Sequence, residues 1–315
     1  MKKLLLLFCI CLVFSCSPEE VVTYKLSVTV TPDGAGNVNP ASGVYDANES
    51  VTINVSSSSD YVFSGWSGDW SGSNTPLTLV MDSDKTLTAI FEIADSDGDG
   101  VNDEVDQDNN TRSGVPVDSN GVMINPIYLD DNGVTIKAYD WSIVGDVGTV
   151  NGKEYTVVDG TKLRDMVSKD EDLTLVCTSK VTDASTLFYG KGDFNQDIGN
   201  WDVSGVTNMQ GIFAGATSFN QASINKWDVS NITSFGSMFN NTNFNQSLND
   251  WNTSGATDFT YMFYNSGFNG DISAWDVSNV LNMDSMFRNA DFNQDIGSWN
   301  VSSVSTMRLM FRDNS

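Results

Sequence analysis

A short acidic segment carries aspartates of the type and spacing that bind a hard cation. The first three alternate along the chain, a glycine follows, and the last two stand three residues apart; they are Asp95, Asp97, Asp99, Asp103 and Asp106. Calcium takes about six to eight oxygen ligands at about 2.3–2.6 Å, and alternate carboxylates in a tight loop can converge on one point. The spacing therefore predicts a structural Ca²⁺ site, with a solvated acidic linker as the alternative.

The acidic segment continues as DQDNNTRSGVPVDSNGV, and residues 94–122 resemble a thrombospondin type 3 repeat. Repeats of that family carry cysteines at the positions of Asp108 and Val122, and neither cysteine is present here. The resemblance implies a calcium-binding linker in which the cation, without that disulfide, is the main constraint.

The sequence contains few combinations of residues that could perform catalysis. It contains no histidine, which excludes Ser-His-Asp and Cys-His arrangements and most zinc sites. Its carboxylates recur with an internal repeat or belong to the acidic segment, so no acidic pair is singled out, although glycoside hydrolysis by two carboxylates is formally open. We therefore expect no enzymatic activity.

The net charge of the chain limits the classes of partner that it can bind. The formal net charge of −25 over 315 residues argues against nucleic acid and anionic head groups, because contacts to phosphates need cations.

Cys9, Cys11 and Cys16 stand in or directly after an N-terminal apolar run. Cys177 lies in the strand-like run LTLVCTS, where a small buried hydrophobe is favoured over a reactive thiol.

The N-terminus has the features of a signal peptide, assigned to residues 1–15. Lys2 and Lys3 precede eleven apolar residues, Leu4 to Phe14, and this run is too short to cross a bilayer core of about 30 Å. The following LVFSC resembles a bacterial lipobox, which implies that Cys16 becomes the lipidated N-terminus and that residues 16–23 form a tether. An ordinary secretory leader is the alternative.

The two acidic residues after this cysteine bear on localisation. Glu19 and Glu20 resemble the acidic tract of surface-exported lipoproteins of the Bacteroidetes type. The resemblance implies an outer-membrane lipoprotein exposed on the cell surface. A lipid anchor at Cys16 is thus the membrane contact that we expect.

Residues 24–93 are predicted to form a small all-β domain. Apolar and polar residues alternate in short runs, separated by turn-forming segments such as TPDGAG. The order of YKLSVTVTPDGAGNV, YVFSGWSGDWSG and MDSDKTLTAIFE resembles the divergent InlB B-repeat family, which implies an extracellular spacer module. Trp66 and Trp70 lie in a Gly/Ser-rich turn, where packing over a hairpin edge is favoured over stacking on sugars.

Residues 123–180 do not repeat and are predicted to form an N-terminal cap for the segment that follows. IYLDDNGVTIKA and VGTVNGKEYTVV each place Asn-Gly between β-rich runs, which indicates two hairpins. The stretch DGTKLRDMVSKDEDL is typical of a helix, with Leu163, Met166 and Val167 on one face. A cap is needed because a terminal repeat otherwise exposes its apolar face.

Residues 181–315 contain a half copy, VTDASTLF, and five copies of one unit. The copies are marked by tryptophans 26, 24, 24 and 24 residues apart, namely Trp201, Trp227, Trp251, Trp275 and Trp299. Apolar residues alternate in the first half of a copy and follow a helical period in the second. The fold expected is therefore a small all-β module, an acidic calcium-loop linker and an α/β leucine-rich-repeat-like solenoid, with a short strand, a turn and a short helix in each copy.

The unit FNQDIGNWDVSGVTNMQGIF resembles the repeat of BspA-like leucine-rich-repeat surface lipoproteins over residues 181–315. The resemblance implies a bacterial surface protein used for adhesion or host contact, and it brings no catalytic residues. The repeated methionines, Met209, Met238, Met262, Met283 and Met307, are expected to fill the core. Because the next copy is due at position 316, we expect a fragment of a longer chain, and a last repeat covered by a partner is the alternative.

Polar residues between the buried positions of each predicted strand are candidates for a ligand face: Asn195, Asp197, Asn245, Asn269, Asp271, Asn293 and Asp295. The alternative is that the asparagines satisfy backbone groups within turns. The function that we expect is non-enzymatic display of the repeats on the cell surface for adhesion or for binding an extracellular protein or glycan. A purely structural spacer or matrix protein is the alternative.

Overall fold

The computed structural model describes residues 20–314. The chain divides into two compact units, residues 1–122 and residues 123–315, and each is described by itself. The predicted signal peptide and the lipidation site at Cys16 lie outside the described residues. Within residues 20–314, none of the helices combines the length and the apolar character that a membrane span needs.

The described part of the first unit, residues 20–122, contains seven β-strands in two sheets. They are β1 (Thr23–Thr31), β2 (Gly36–Asn39), β3 (Ser42–Asp46), β4 (Ser50–Ser57), β5 (Tyr61–Gly68), β6 (Leu77–Val80) and β7 (Lys85–Ile93). One sheet has the order β3-β1-β7-β5, in which only β1 and β7 are parallel, and the other is antiparallel with the order β2-β4-β6. The alternating apolar residues of both sheets share one core that includes Leu26, Ile53 and Leu87. The all-β character of this module is confirmed.

Trp66, which lies on β5 and not in the predicted turn, belongs to this core, and Trp70 packs against it. Trp66 is 3% exposed, and its indole N–H donates to the Asn74 carbonyl at 2.9 Å. Trp70 is partly buried against the same cluster. The packing role predicted for these rings is confirmed.

The second unit begins with two hairpins, one helix and a further strand. The strands are β8 (Ile127–Leu129), β9 (Ile136–Ala138), β10 (Val147–Val150), β11 (Lys153–Asp159) and β12 (Val176–Lys180), and the helix is α1 (Gly160–Ser168). β8 pairs with β9 and β10 with β11, both antiparallel, and β12 lies parallel to β11. Asn151 and Gly152 both have positive φ, as a two-residue type I′ turn requires. The predicted hairpins are confirmed.

Helix α1 and strand β12 also agree with the sequence pattern. The carboxylate of Asp159 accepts the Lys162 backbone N–H at 2.8 Å and so caps the helix. The three residues predicted for one face are buried. Cys177 on β12 is fully buried, and this burial raises the pKa of its thiol, so the thiol is a structural group.

The predicted α/β leucine-rich-repeat-like solenoid is wrong. The one α-helix among residues 20–314 precedes the copies, and no copy contains a β-strand in that range. Each copy is a series of turns, and isolated parallel bridges join neighbouring copies, such as the bridge from Asp258 to Asn282. The inserted residues of the second copy form a short 3₁₀ helix, Ala222–Lys226.

The second half of a copy is not helical because its backbone bonds point to the next copy. Ser285 has a φ of 55°, a left-handed conformation that interrupts an α-helix. The N–H groups of Met283 and Phe287 donate to the carbonyls of Thr306 and Met310, both at 2.9 Å. The helix-like apolar spacing therefore serves to place side chains in a core shared between copies.

That core runs through all the copies. The last phenylalanine of one copy lies face to face with the first phenylalanine of the next, as Phe263 and Phe268 do with centroids 3.8 Å apart, and equivalent rings of successive copies follow at 5.5–6.2 Å. Each repeat tryptophan donates its indole N–H to the preceding segment, as Trp275 does to the Leu248 carbonyl at 2.8 Å. The methionines predicted to fill the core are fully buried except Met307, which is 40% exposed and for which the prediction is wrong.

Candidate functional site

Three of the five predicted calcium ligands meet at one point. Asp95, Asp97 and Asp99 each offer a carboxylate oxygen, and these oxygens all lie within 4.8 Å of one another. The surrounding segment, residues 94–122, contains no helix or strand among its described residues. Its conformation therefore depends on bonds between side chains and the backbone.

The aspartates themselves form the loop. Asp95 accepts the N–H groups of Gly98 and Gly100 at 2.8 and 3.0 Å, and Asp97 accepts that of Asp99 at 3.2 Å. Gly98 and Gly100 have φ values of 75° and 97°, which a residue with a β-carbon rarely adopts. These turns fix the backbone of the loop and leave other carboxylate oxygens free to converge.

Three of those oxygens are buried without a donor. The Oδ2 atoms of Asp97, Asp99 and Asp106 make no hydrogen bond to any described residue. A buried carboxylate oxygen without a partner is costly, and a cation removes that cost. The donor set consists of oxygens alone, which suits a hard cation such as Ca²⁺. The residues present therefore fit a calcium ion.

The electrostatics of the cluster also favour a bound cation. The Val101 N–H donates to Asp99 at 2.8 Å and lowers the pKa of its carboxyl group. Burial and the charges of Asp97, Asp106 and Asp95 outweigh that effect, so the pKa of Asp99 is raised. Without a cation these carboxylates repel each other, and a divalent ion would reverse the effect.

Asp103 has a different role from the converging aspartates. Its carboxylate accepts the backbone N–H and the hydroxyl of Ser96 at 2.7 and 2.6 Å, and these bonds lower its pKa. Its own N–H donates to the Ala94 carbonyl at 3.0 Å. The structure thus uses Asp103 to close the loop, while Asp106 has the orphaned oxygen.

Gly121 supports the cluster and was missed in the sequence. A β-carbon there would lie 1.9 Å from Oδ1 of Asp106, so the close approach requires glycine. The buried Thr111 donates its hydroxyl to the Gly121 carbonyl at 2.8 Å, and Gln107 N–H donates to the Asn120 carbonyl at 2.7 Å. These bonds tie the two ends of the segment together. The Asn-Gly pair at 120–121 was the available signal.

The asparagines of the predicted ligand face join one copy to the next. Oδ1 of Asn195 accepts the Asn220 N–H at 3.0 Å, and Oδ1 of Asn245 accepts the Asn269 N–H at 2.7 Å. Asn269 serves Asn293 in the same way at 2.8 Å. These contacts favour the structural role, with the satisfied backbone groups lying in the neighbouring copy.

The aspartates of that face hold their own turns. Asp197, Asp271 and Asp295 each accept a backbone N–H two residues further along, at 2.9–3.1 Å. Asp271 also accepts from the Asn249 amide at 3.1 Å. The predicted face residues thus either join neighbouring copies or hold their own turns, and their role in ligand binding stays a prediction.

A second outward column was not predicted. The residue after the second-half phenylalanine varies among the copies, with four residue types at six positions: Tyr189, Ala214, Asn240, Tyr264, Arg288 and Arg312. They are neighbours, since the N–H of the following residue donates to the carbonyl of this position one copy further along at 2.8–2.9 Å. The Arg288 guanidinium stands 5.7 Å from the Tyr264 ring centroid. The signal in the sequence was variability beside a constant core.

Comparisons with known families match two parts of the chain. Residues 161–267 and 242–315, slightly less than half of the chain together, match the model described as Mycoplasma protein of unknown function, DUF285. Residues 26–95 match the model of the divergent InlB B-repeat domain. Neither description names an enzymatic activity. No curated protein and no solved structure shows a significant match. The two matches agree with the resemblances to InlB B-repeats and to BspA-like surface repeats.

Proposed function

We propose that this chain, which is similar to two families of surface repeat domains, is a cell-surface lipoprotein without enzymatic activity that displays its stacked copies to bind an extracellular protein or glycan. The observation that carries the proposal is the outward column. The copies keep the core residues nearly constant and place tyrosine, asparagine and arginine side chains at one variable position, which is exposed or half-buried in every copy except that of the buried Ala214. Aromatic and arginine side chains contribute most to recognition surfaces.

In this proposal, the acidic cluster stiffens the segment of residues 94–122. Asp95, Asp97, Asp99 and Asp106 would hold one Ca²⁺ in residues 94–122, between the β module and the second unit. Bound calcium neutralises the repelling carboxylates and so makes the segment a stiffer stalk. Extracellular modules of this kind bind calcium at about 10⁻⁴–10⁻³ M.

The anchor completes the arrangement. A lipid on Cys16 would hold the chain in the outer membrane, and Glu19 and Glu20 favour its export to the cell surface. Because each buried methylene contributes about 0.8 kcal/mol, two or more acyl chains give a stable anchor. The strongly negative chain itself has little attraction for anionic lipids.

A purely structural spacer is the second candidate function. It is supported by the asparagine ladder, whose side-chain oxygens are used to join the copies rather than left for a ligand. The two functions differ in whether the outward column has a partner.

The test is binding of residues 20–315 to a panel of immobilised glycans and of extracellular matrix and serum proteins. A specific partner should lose at least about ten-fold in affinity when Tyr264 and Arg288 are both replaced by alanine, because the two form one aromatic and cationic surface. Leu281→Ala is the control, since this side chain is 50% exposed in the same copy but lies at another position. Absence of any partner at millimolar calcium would favour the spacer.

A further inference from the structure

An open cavity of about 370 Å³ lies between helix α1 and the first copy. Its apolar lining comes from Val167, Leu173, Phe188 and Phe194. Its polar lining includes Asp170, Glu171, Lys191 and Asp193. All of these residues belong to the second unit, and none is part of the outward column or of the acidic cluster.

The cavity lies where the series of stacked phenylalanines begins. Phe219, Phe244 and Phe268 are fully buried because a preceding copy covers each of them. Phe194, at the same position in the first copy, is only partly buried, although it stacks on Phe188 at 3.8 Å. No phenylalanine precedes it in the described chain at this position. The cap offers the smaller side chains of Val167 and Leu173 instead, which leaves space beside the Phe188–Phe194 pair.

The charge around the cavity is negative. Three carboxylates, those of Asp170, Glu171 and Asp193, face one ammonium group in the lining. That group, on Lys191, already pairs with Asp170 at 2.8 Å. Glu171 and Asp193 make no side-chain hydrogen bond or ion pair within residues 20–314, so two negative charges are available to a ligand.

We propose that this cavity binds an aromatic side chain of a partner peptide in which lysine or arginine flanks the aromatic residue. The ring would take the place beside Phe188 and Phe194 that another copy fills elsewhere in the stack, with the parallel geometry of the existing pairs. The flanking cations would meet Glu171 and Asp193. The assignment rests on the proposed function, since it names the class of protein ligand that the displayed unit would recognise.

The experiment titrates residues 20–315 with blocked pentapeptides and follows the methyl resonances of Val167 and Leu173 by NMR. The peptide Gly-Lys-Trp-Lys-Gly is expected to shift both methyl groups. Gly-Glu-Trp-Glu-Gly and Gly-Lys-Ala-Lys-Gly, which lack the charge and the ring respectively, are expected to bind at least ten-fold more weakly.

Two variants test the site itself. Glu171→Gln combined with Asp193→Asn should weaken the lysine peptide at least five-fold. Asp291→Asn is the matched control, because it stands directly before the phenylalanine of a later copy, as Asp193 does before Phe194, and it should leave binding unchanged. Phe194→Leu should also weaken binding, with the fold checked by circular dichroism.

Equal binding of the lysine and glutamate peptides, or no effect of the double variant, would overturn the inference. Methyl shifts with a neutral hexose but with none of the peptides would instead assign the cavity to a glycan. Neither result touches the proposed display function, which depends on the Tyr264 and Arg288 surface and is tested on whole partners.

Discussion

Oδ1 of Asn245 accepts the backbone N–H of Asn269 at 2.7 Å, one copy further along the chain. Equivalent bonds join Asn195 to Asn220, Asn220 to Asn245 and Asn269 to Asn293 at 2.8–3.0 Å. A side chain thus supplies the acceptor that a neighbouring strand supplies in a sheet. This explains how copies without β-strands nevertheless satisfy exposed backbone groups.

Replacing Asn245 by alanine should therefore loosen the junction between two copies. One lost hydrogen bond costs about 1 kcal/mol, which corresponds to about five-fold faster opening of the Asn269 amide. Amide hydrogen exchange by NMR measures this directly. Asn293→Ala is the control, because Oδ1 of Asn293 accepts no hydrogen bond within residues 20–314. Equal protection of Asn269 in Asn245→Ala and the wild type would contradict the ladder.

Calcium should stabilise the first unit through the acidic cluster. At 100 times the dissociation constant, one bound ion adds about 2.7 kcal/mol to the free energy of unfolding. Calorimetric titration of residues 20–315 should show saturable binding, which Asp97→Asn combined with Asp99→Asn should abolish. Asp108→Asn is the control, since its side chain is exposed and lies outside the cluster. Undiminished binding in the double variant would exclude this site.

In the absence of calcium, Asp99→Asn should raise the stability of the protein, because it removes one of the repelling carboxylates. The raised pKa of Asp99 means that the folded state holds this proton more tightly than the unfolded state. Stability is then lost as pH rises from the ordinary value of 3.8 through the higher folded pKa. In EDTA, the variant should melt above the wild type at pH 7, and the difference should shrink towards pH 3. Aspartates with lowered pKa values, such as Asp103, lose stability on acidification in both proteins and cancel in this comparison. A variant that melts below the wild type in EDTA would contradict the repulsion.

Local patterns in the sequence predicted the β module, the two hairpins and α1 correctly. Alternation places Leu26 and Leu87 in one core, and Asn151-Gly152 supplies the turn of the second hairpin. The alternation, the turn and the helical period are each set by neighbours in sequence, so local patterns suffice to predict these elements, although not which strands pair.

The repeats could not be predicted in the same way. The spacing of Met283, Met286 and Phe287 fits a helix, but the backbone at Ser285 is left-handed and the donors reach the next copy. An apolar period fixes which side chains are buried and leaves the direction of the backbone bonds open. For the acidic cluster, the spacing predicted that Asp95, Asp97 and Asp99 come together, as they do in the structure, whereas the support from Gly121 depends on a fold-back of the chain.

The left-handed position of each second half gives a test of this backbone. Ser237 has a φ of 56°, and glycine occupies the equivalent position 211 with a φ of 63°. A β-branched residue in this region costs about 1–2 kcal/mol. Ser237→Val should therefore lower the free energy of unfolding of the second unit by at least about 1 kcal/mol relative to Ser237→Gly. Urea unfolding measures this difference. If the valine variant is as stable as the glycine variant, the second half adopts another conformation.

The anchor can be tested with a single atom change. Cys16→Ser removes the sulfur that a lipobox cysteine uses for acylation and leaves the remaining leader unchanged. The full chain should incorporate radiolabelled palmitate and partition into detergent, and the variant should do neither, because it lacks the apolar chains. Cys177→Ser is the control, since that thiol is buried in the cap and should not affect labelling. Label retained in Cys16→Ser would exclude this residue as the anchor and favour the ordinary secretory leader.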